Sequence, residues 1–313
     1  MKPEFTIYAL HGLPTNFESP EARAAMRAAL FPRPASIDWK SDRMANMSIV
    51  GPLEFSDYAM IRAKAEAIRL NPRVEQVLMY LNCPGGVAPG GPETAAALAK
   101  LNKAKPILCV AEGYCASAGY QLAAMATELI VSPTCLVGSV GTRSVLIDDS
   151  KMMEQLGVRV IPIVTGKDKA VGLEGVPVDD HAVQVITDLV NSYQRQFILS
   201  LKQSTFLDAD KIVALAENAS VWLGDEAVKQ GFATRVGSFE QIVAELRDQE
   251  SIAETRKAIS AKQAIEKLKG EAAEDKYLEL IGYGASVEDR QRIEQEFPQL
   301  CATVKRLSPD LFE

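Results

Sequence analysis

A series of short, mostly apolar runs alternates with helical patterns along the first half of this chain. The runs are Met47–Val50, Val74–Asn82, Pro106–Ala111, Glu128–Ser132 and Val158–Val164. A strand wetted on one face alternates apolar and polar residues. A strand covered on both faces reads as a continuous apolar run, and such strands are parallel and joined by helical crossovers. The pattern therefore predicts an α/β fold with a mainly parallel sheet flanked by helices. Gly51-Pro52 closes the first run and Pro84-Gly85-Gly86 the second. Helices are expected over 56–70, over 92–103 and in the Ala-rich stretch Tyr120–Leu129.

Beyond the last run the helical period dominates. Asp179 and Asp180 open a long helix whose stripe is Ala182, Ile186, Val190, Tyr193, Phe197 and Leu201. A shorter helix spans Asp208–Glu217. Val221–Gly231 reads as strand, turn and helix, and Phe239–Arg247 as a last helix. Residues 1–45 are rich in proline and form an arm with one short helix, Ser19–Leu30. From 249 to 313 the composition turns to Ala, Glu and Lys, which favours helix, and Ser286–Asp289 has the form of a capping box. The expected organisation is an arm (1–45), a domain (46–248) and a helical tail (249–313).

Composition removes several classes of function. A net charge of −7 over 313 residues argues against nucleic acid or an anionic membrane as partner. No apolar run reaches the ~18 residues of a membrane span, and the first residues lack a leader pattern, so no membrane anchor is expected. The five cysteines, Cys83, Cys109, Cys115, Cys135 and Cys301, are odd in number and unpaired in spacing. That fits free thiols in a reducing cytoplasm. With two distant histidines, His11 and His181, no metal site is expected, and nothing calls for a cofactor.

The chemistry concentrates at Ser117, in Gly113-Tyr-Cys-Ala-Ser-Ala-Gly-Tyr120. A serine between a strand and a helix exposes its hydroxyl beside the positive helix end; the alternative is an ordinary N-cap. Pro84-Gly85-Gly86 follows a buried strand, where glycine lets the backbone bring an N–H close to a bound group. An N–H near Gly86 and another at Ala118 would make a two-donor oxyanion hole. No histidine is near in sequence. Thr165-Gly-Lys-Asp-Lys169 offers Lys167 and Lys169. A lysine serves as base only when apolar surroundings depress its pKa from about 10.4 to about 7–8; otherwise both are solvated loop charges.

Taken in order, Asn82-Cys-Pro-Gly-Gly86, Gly113–Tyr120, Gly138-Ser-Val-Gly141, Gly166-Lys-Asp-Lys169 and Leu223–Gly231 resemble the motifs of the signal peptide peptidase A family. These are Ser–Lys serine endopeptidases of Clp/crotonase-like fold. The match runs over about 46–245 and is nearest the soluble, phage-type branch of head maturation proteases. The resemblance implies stacked ββα units, Ser117 as nucleophile and Lys169 as general base, with Lys167 as a fallback. It implies Ser139 as the residue orienting the lysine, and the Gly86 and Ala118 N–H groups as oxyanion donors. It further implies a homo-oligomer, with the lysine from the same or a neighbouring chain. The implied substrates are peptides or proteins, among them capsid or scaffold proteins and the chain itself, in a bacterial cytoplasm or a phage procapsid. Two positions depart from the family: Cys83 stands where serine is usual and Ala118 where glycine is. The alternatives are a peptide-degrading or signal-peptide peptidase, an acyl-CoA enzyme of crotonase type with Glu112 as its carboxylate, and an inactive assembly scaffold. A Ser-His-Asp site is disfavoured because Thr142 stands where its histidine would fall.

Overall fold

The computed structural model describes Phe31 and residues 43–249. The helix over Ser19–Leu30, the bulk of the tail after 249, the Ser286–Asp289 box, His11 and Cys301 lie outside the described residues. By its contacts the chain divides into one unit ending at Ile242 and another beginning at Val243. The first unit holds the sheet and every candidate site residue.

Its strands are β1 (Met44–Val50), β2 (Gln76–Cys83), β3 (Ile107–Ala116), β4 (Glu128–Val131), β5 (Leu136–Gly138), β6 (Val221–Leu223) and β7 (Arg235–Val236). The helices are α1 (Phe55–Leu70), α2 (Gly91–Ala104), α3 (Ala118–Ala123), α4 (Ser150–Gln155), α5 (Asp180–Leu201), α6 (Ala209–Glu217) and α7 (Gly224–Lys229). An eighth, α8, is helical over 239–249. The sheet runs β1-β2-β3-β4-β7, all parallel. β5 pairs parallel with β3, and β6 closes antiparallel on β5. This is the α/β arrangement with a mainly parallel sheet expected from the sequence.

The apolar runs became central strands for the expected reason. Val77, Leu78, Met79, Tyr80 and Leu81 of β2 are all buried, covered on both faces as a parallel crossover sheet requires. α1 buries Tyr58, Ile61, Ala65 and Ile68 at helical spacing and leaves its opposite face wet. At its start the Glu54 N–H donates to Asp57 Oδ2 at 2.8 Å. Asp179 caps α5 by accepting from the Ala182 N–H at 2.8 Å, and Asp208 caps α6 in the same way.

β3 is the strand that positions the site. Its first half, Leu108–Ala111, pairs with β4; its last residues, Tyr114–Ala116, pair with β5. The change of partner coincides with a register shift against β2 between Leu81 and Cys83. Asn82 spans that irregularity, its Oδ1 accepting the Tyr114 N–H at 3.1 Å. Gly113 has φ +78, and a Cβ there would lie 2.7 Å from Asn82 Oδ1, so only glycine fits the bend.

One expected strand is absent. Residues 158–164 form no strand, and Ile161 and Ile163 face solvent. The true fifth strand is Leu136–Gly138. Apolar β-branched residues signal a surface that wants cover, and among the described residues nothing supplies a neighbouring strand there. The helix after Ser117 is also shorter than expected, ending at Ala123 before β4 begins at Glu128.

Candidate active site

Ser117 follows the last residue of β3 and stands at the N-cap position of α3. Its backbone is at φ 52, ψ −127, a region that non-glycine residues enter only where the surroundings force it. What forces it is visible on both sides. The Ser117 N–H donates to Gly138 O at 2.9 Å, carrying the β3–β5 ladder one residue further. Opposite, a Cβ on Gly85 would lie 2.7 Å from Ser117 Cβ and 3.1 Å from its Oγ. The hydroxyl caps nothing and has no hydrogen bond among the described residues. The ordinary N-cap reading therefore fails: the strained turn presents an uncommitted hydroxyl.

The two backbone donors flank it. Leu53 N–H donates to Gly85 O at 2.8 Å. Across a planar trans peptide the following N–H points the opposite way, so the Gly86 N–H is aimed away from Leu53 and meets no acceptor among the described residues. Ala118 is the first residue of α3, and its N–H has no intrahelical acceptor. Gly86 is exposed, whereas Pro84 and Gly85 beside it are buried.

Ser139 joins the same cluster. Ala116 and Gly138 are register partners in parallel strands, so Ser117 and Ser139 leave adjacent strand ends about 5 Å apart, the usual strand spacing. Ser139 too has positive φ, at 53, and its N–H donates to Ser220 O at 2.8 Å. The structure thus brings together Gly86, Ser117, Ala118 and Ser139.

The lysines stand apart. Lys167–Ala170 is one 3-10 turn with both lysine side chains exposed. No hydrogen bond joins Lys167 or Lys169 to Ser117 or Ser139 among the described residues, so the contact expected between Ser139 and the lysine is not made within this chain. The turn belongs to an excursion over 143–178. Its two legs are tied by the Gly175 N–H donating to Asp149 Oδ1 at 2.7 Å and the Val178 N–H to Asp148 Oδ2 at 3.2 Å. Asp168 Oδ1 lies at hydrogen-bond distance from His181 Nε2, 2.9 Å away.

Other candidates have structural employment. Glu112 Oε1 accepts the Phe239 N–H at 2.9 Å at the start of α8, so the carboxylate needed by an acyl-CoA reading is holding a helix. Glu112→Ala is expected to lower stability by about 1 kcal/mol, the usual value of a helix cap. Catalysis per folded molecule should stay unchanged, as urea denaturation beside a turnover assay would reveal. Thr142 Oγ1 bonds Gln194 Oε1 at 3.2 Å on α5. Burial pushes the thiols of Cys109 and Cys115 up and that of Cys135 to about 12. All three are neutral at neutral pH and do not rival Ser117 as nucleophiles.

Sequence reasoning missed Leu53. Its backbone bonds the turn after β2 from both sides, receiving the Val87 N–H at 3.0 Å as well as donating to Gly85 O. Gly51-Pro52 just before it is the only signal, and it reads as a plain loop.

The model of peptidase family S49 matches residues 99–253. A protein of Methanocaldococcus jannaschii is 27% identical over 173 residues, 55% of each chain. Capsid assembly protease C of Escherichia phage lambda is 25% identical over 191 residues, 61% of this chain and 43% of that one. Protease 4 of Salmonella typhi is 25% identical over 177 residues, 56% of this chain and 28% of that one. The ClpP protease catalytic domain from Plasmodium falciparum is similar at 12% identity and TM-score 0.36, covering 62% of this chain and 85% of that one. This chain spans about half the length of the first two relatives. The matched segment contains Ser117, Ser139 and both lysines, and over residues 99–253 the chain is similar to peptidase family S49.

Proposed function

We propose that this chain is a serine endopeptidase in which Ser117 is the nucleophile and Lys169 the general base. The observation that carries the reading is the strained Ser117 turn, with its free hydroxyl packed against Gly85 and the unpaired Ala118 N–H next to it in the chain. Neutral Lys169 takes the Ser117 proton as Oγ attacks a peptide carbonyl carbon. The carbonyl oxygen becomes an oxyanion held by the N–H groups of Gly86 and Ala118, each such donor typically contributing about 3–4 kcal/mol. The lysine returns the proton to the departing amine, leaving an acyl-enzyme. Water, deprotonated by the same lysine, then attacks the acyl carbon; the C–Oγ bond breaks, the lysine returns the proton to Ser117 Oγ and the acyl group leaves as a carboxylic acid. Ser139 orients the lysine.

The excursion over 143–178 supports a homo-oligomer. Val145, Ile147, Leu156, Ile161 and Ile163 are all exposed on it, Ile163 at 96%. Exposed apolar side chains gathered on one segment favour an interface, and a second copy laid over them would remove water from the lysine turn, as a lysine base requires. The substrates are protein chains. The phage relative's role in capsid assembly makes capsid or scaffold proteins, and this chain itself, the first to test. Among the described residues no helix is long and apolar enough to cross a membrane.

A fluorophosphonate probe, read by intact mass, tests the nucleophile. One adduct on the wild type and none on Ser117→Ala, together with loss of casein cleavage in that variant, is the expected result. Cleavage that persists in Ser117→Ala would sink the assignment.

A further inference from the structure

The two oxyanion donors come from different segments, the turn after β2 and the first turn of α3, and the Cys83 side chain touches both. Cys83 ends β2 and is wholly buried. Its Sγ accepts the Gly85 N–H at 3.4 Å and lies 3.5 Å from Gly85 O, which also receives the Leu53 N–H. On its other side Cys83 supports α3. A Cβ on Gly119 would meet Cys83 O at 2.5 Å, its Cβ at 2.9 Å and its Sγ at 3.0 Å, so the helix rests directly on this residue.

We infer that Cys83 is a positioning residue that sets the separation of the Gly86 and Ala118 N–H groups. The inference rests on the proposed peptidase reading and goes beyond it. Gly86 is one peptide from the group that Cys83 and Leu53 hold, and Ala118 is one residue from the glycine that Cys83 supports. A change in the length or polarity of this side chain therefore moves one donor relative to the other. Ser117 is displaced less, because the Gly138 carbonyl anchors it independently. An oxyanion exists only in and after the transition state, so misplaced donors lower kcat and leave KM unchanged.

The test compares Cys83→Ala, Cys83→Ser and the wild type in peptide hydrolysis, with thermal denaturation and affinity for a peptide boronic acid measured alongside. Cys83→Ala should lose about tenfold in kcat, a fraction of the 100- to 1000-fold cost of deleting a donor. Boronate affinity should fall by the same factor, with KM unchanged. Cys83→Ser keeps a side-chain acceptor for the Gly85 N–H and should return kcat to within about threefold of wild type. Should Cys83→Ala fail to fold, Cys83→Thr serves: it keeps the acceptor, adds a methyl group to a full site and should also lose kcat at constant KM. Wild-type kcat in Cys83→Ala or Cys83→Thr, or a fall no deeper than a lowered melting temperature explains, overturns the role. So does a change confined to KM. Turnover that is absent from the wild type, or that survives Ser117→Ala, overturns the peptidase reading and this role with it. Those results differ visibly from a Cys83 variant that matches an active wild type.

Discussion

Gly86→Ala should abolish most turnover, with kcat falling at least about 100-fold, and should destabilise the fold by about 1–3 kcal/mol, the usual range for an overfilled site. A Cβ at Gly86 would lie 2.1 Å from Leu53 O, 2.6 Å from Leu53 Cβ and 2.7 Å from Leu53 Cα. Two of those atoms are backbone and none can rotate away. Either the loop before α1 or the turn after β2 must move by about an ångström. The bonds between Leu53 and Gly85–Val87 are what aim the Gly86 N–H, so either movement spoils the donor. Gly166→Ala is the matched control: an added Cβ there meets nothing within 4 Å, so kcat and melting temperature should hold. A Gly86→Ala enzyme with wild-type kcat would remove Gly86 from the oxyanion hole.

Lys169→Ala should cost about 1000-fold in kcat, within the range for removing a general acid–base group, whereas Lys167→Ala should stay within a few-fold. The assignment has a second handle, because both lysines are solvated on the single chain. Ile163→Asp should make an isolated subunit only more soluble. If a second copy covers the excursion, the same change should instead split the oligomer in sedimentation and remove activity together with it. Fluorophosphonate labelling should fall in parallel, since Ser117 would lose its base while keeping its own geometry. A monomeric, fully active Ile163→Asp protein would refute the need for assembly, and equal losses in Lys167→Ala and Lys169→Ala would refute the choice between them.

The parallel sheet was legible because β2 and the first half of β3 are buried on both faces and their residues say so. The same logic misled at 158–164. Periodicity reports that residues such as Ile161 and Ile163 seek cover, not which molecule provides it. β5 was invisible for the opposite reason: three residues gain their strand character from Tyr114–Ala116, more than twenty positions earlier, and from Val221–Leu223, more than eighty later. At the site, glycines and a serine at strand ends were readable as motif. The positive φ of Ser117 was not, because it is imposed by Gly85 and Gly138 across the fold. The service of Leu53 is done entirely by its main chain, which no side-chain pattern announces. Glu112 reads in the sequence as a free carboxylate, and only the position of α8 reveals its employment.

The excursion over 143–178 has few buried side chains, while β3 and α3 lie in the core. Segments with little burial open at lower free energy than the core that carries them. The nucleophile and its proposed base are thus housed at two levels of thermal resilience. On warming, activity should disappear in an earlier step than the sheet, and return on cooling, with the Ser117 amide still protected from hydrogen exchange. An enzyme built this way loses its proton acceptor before it loses its fold.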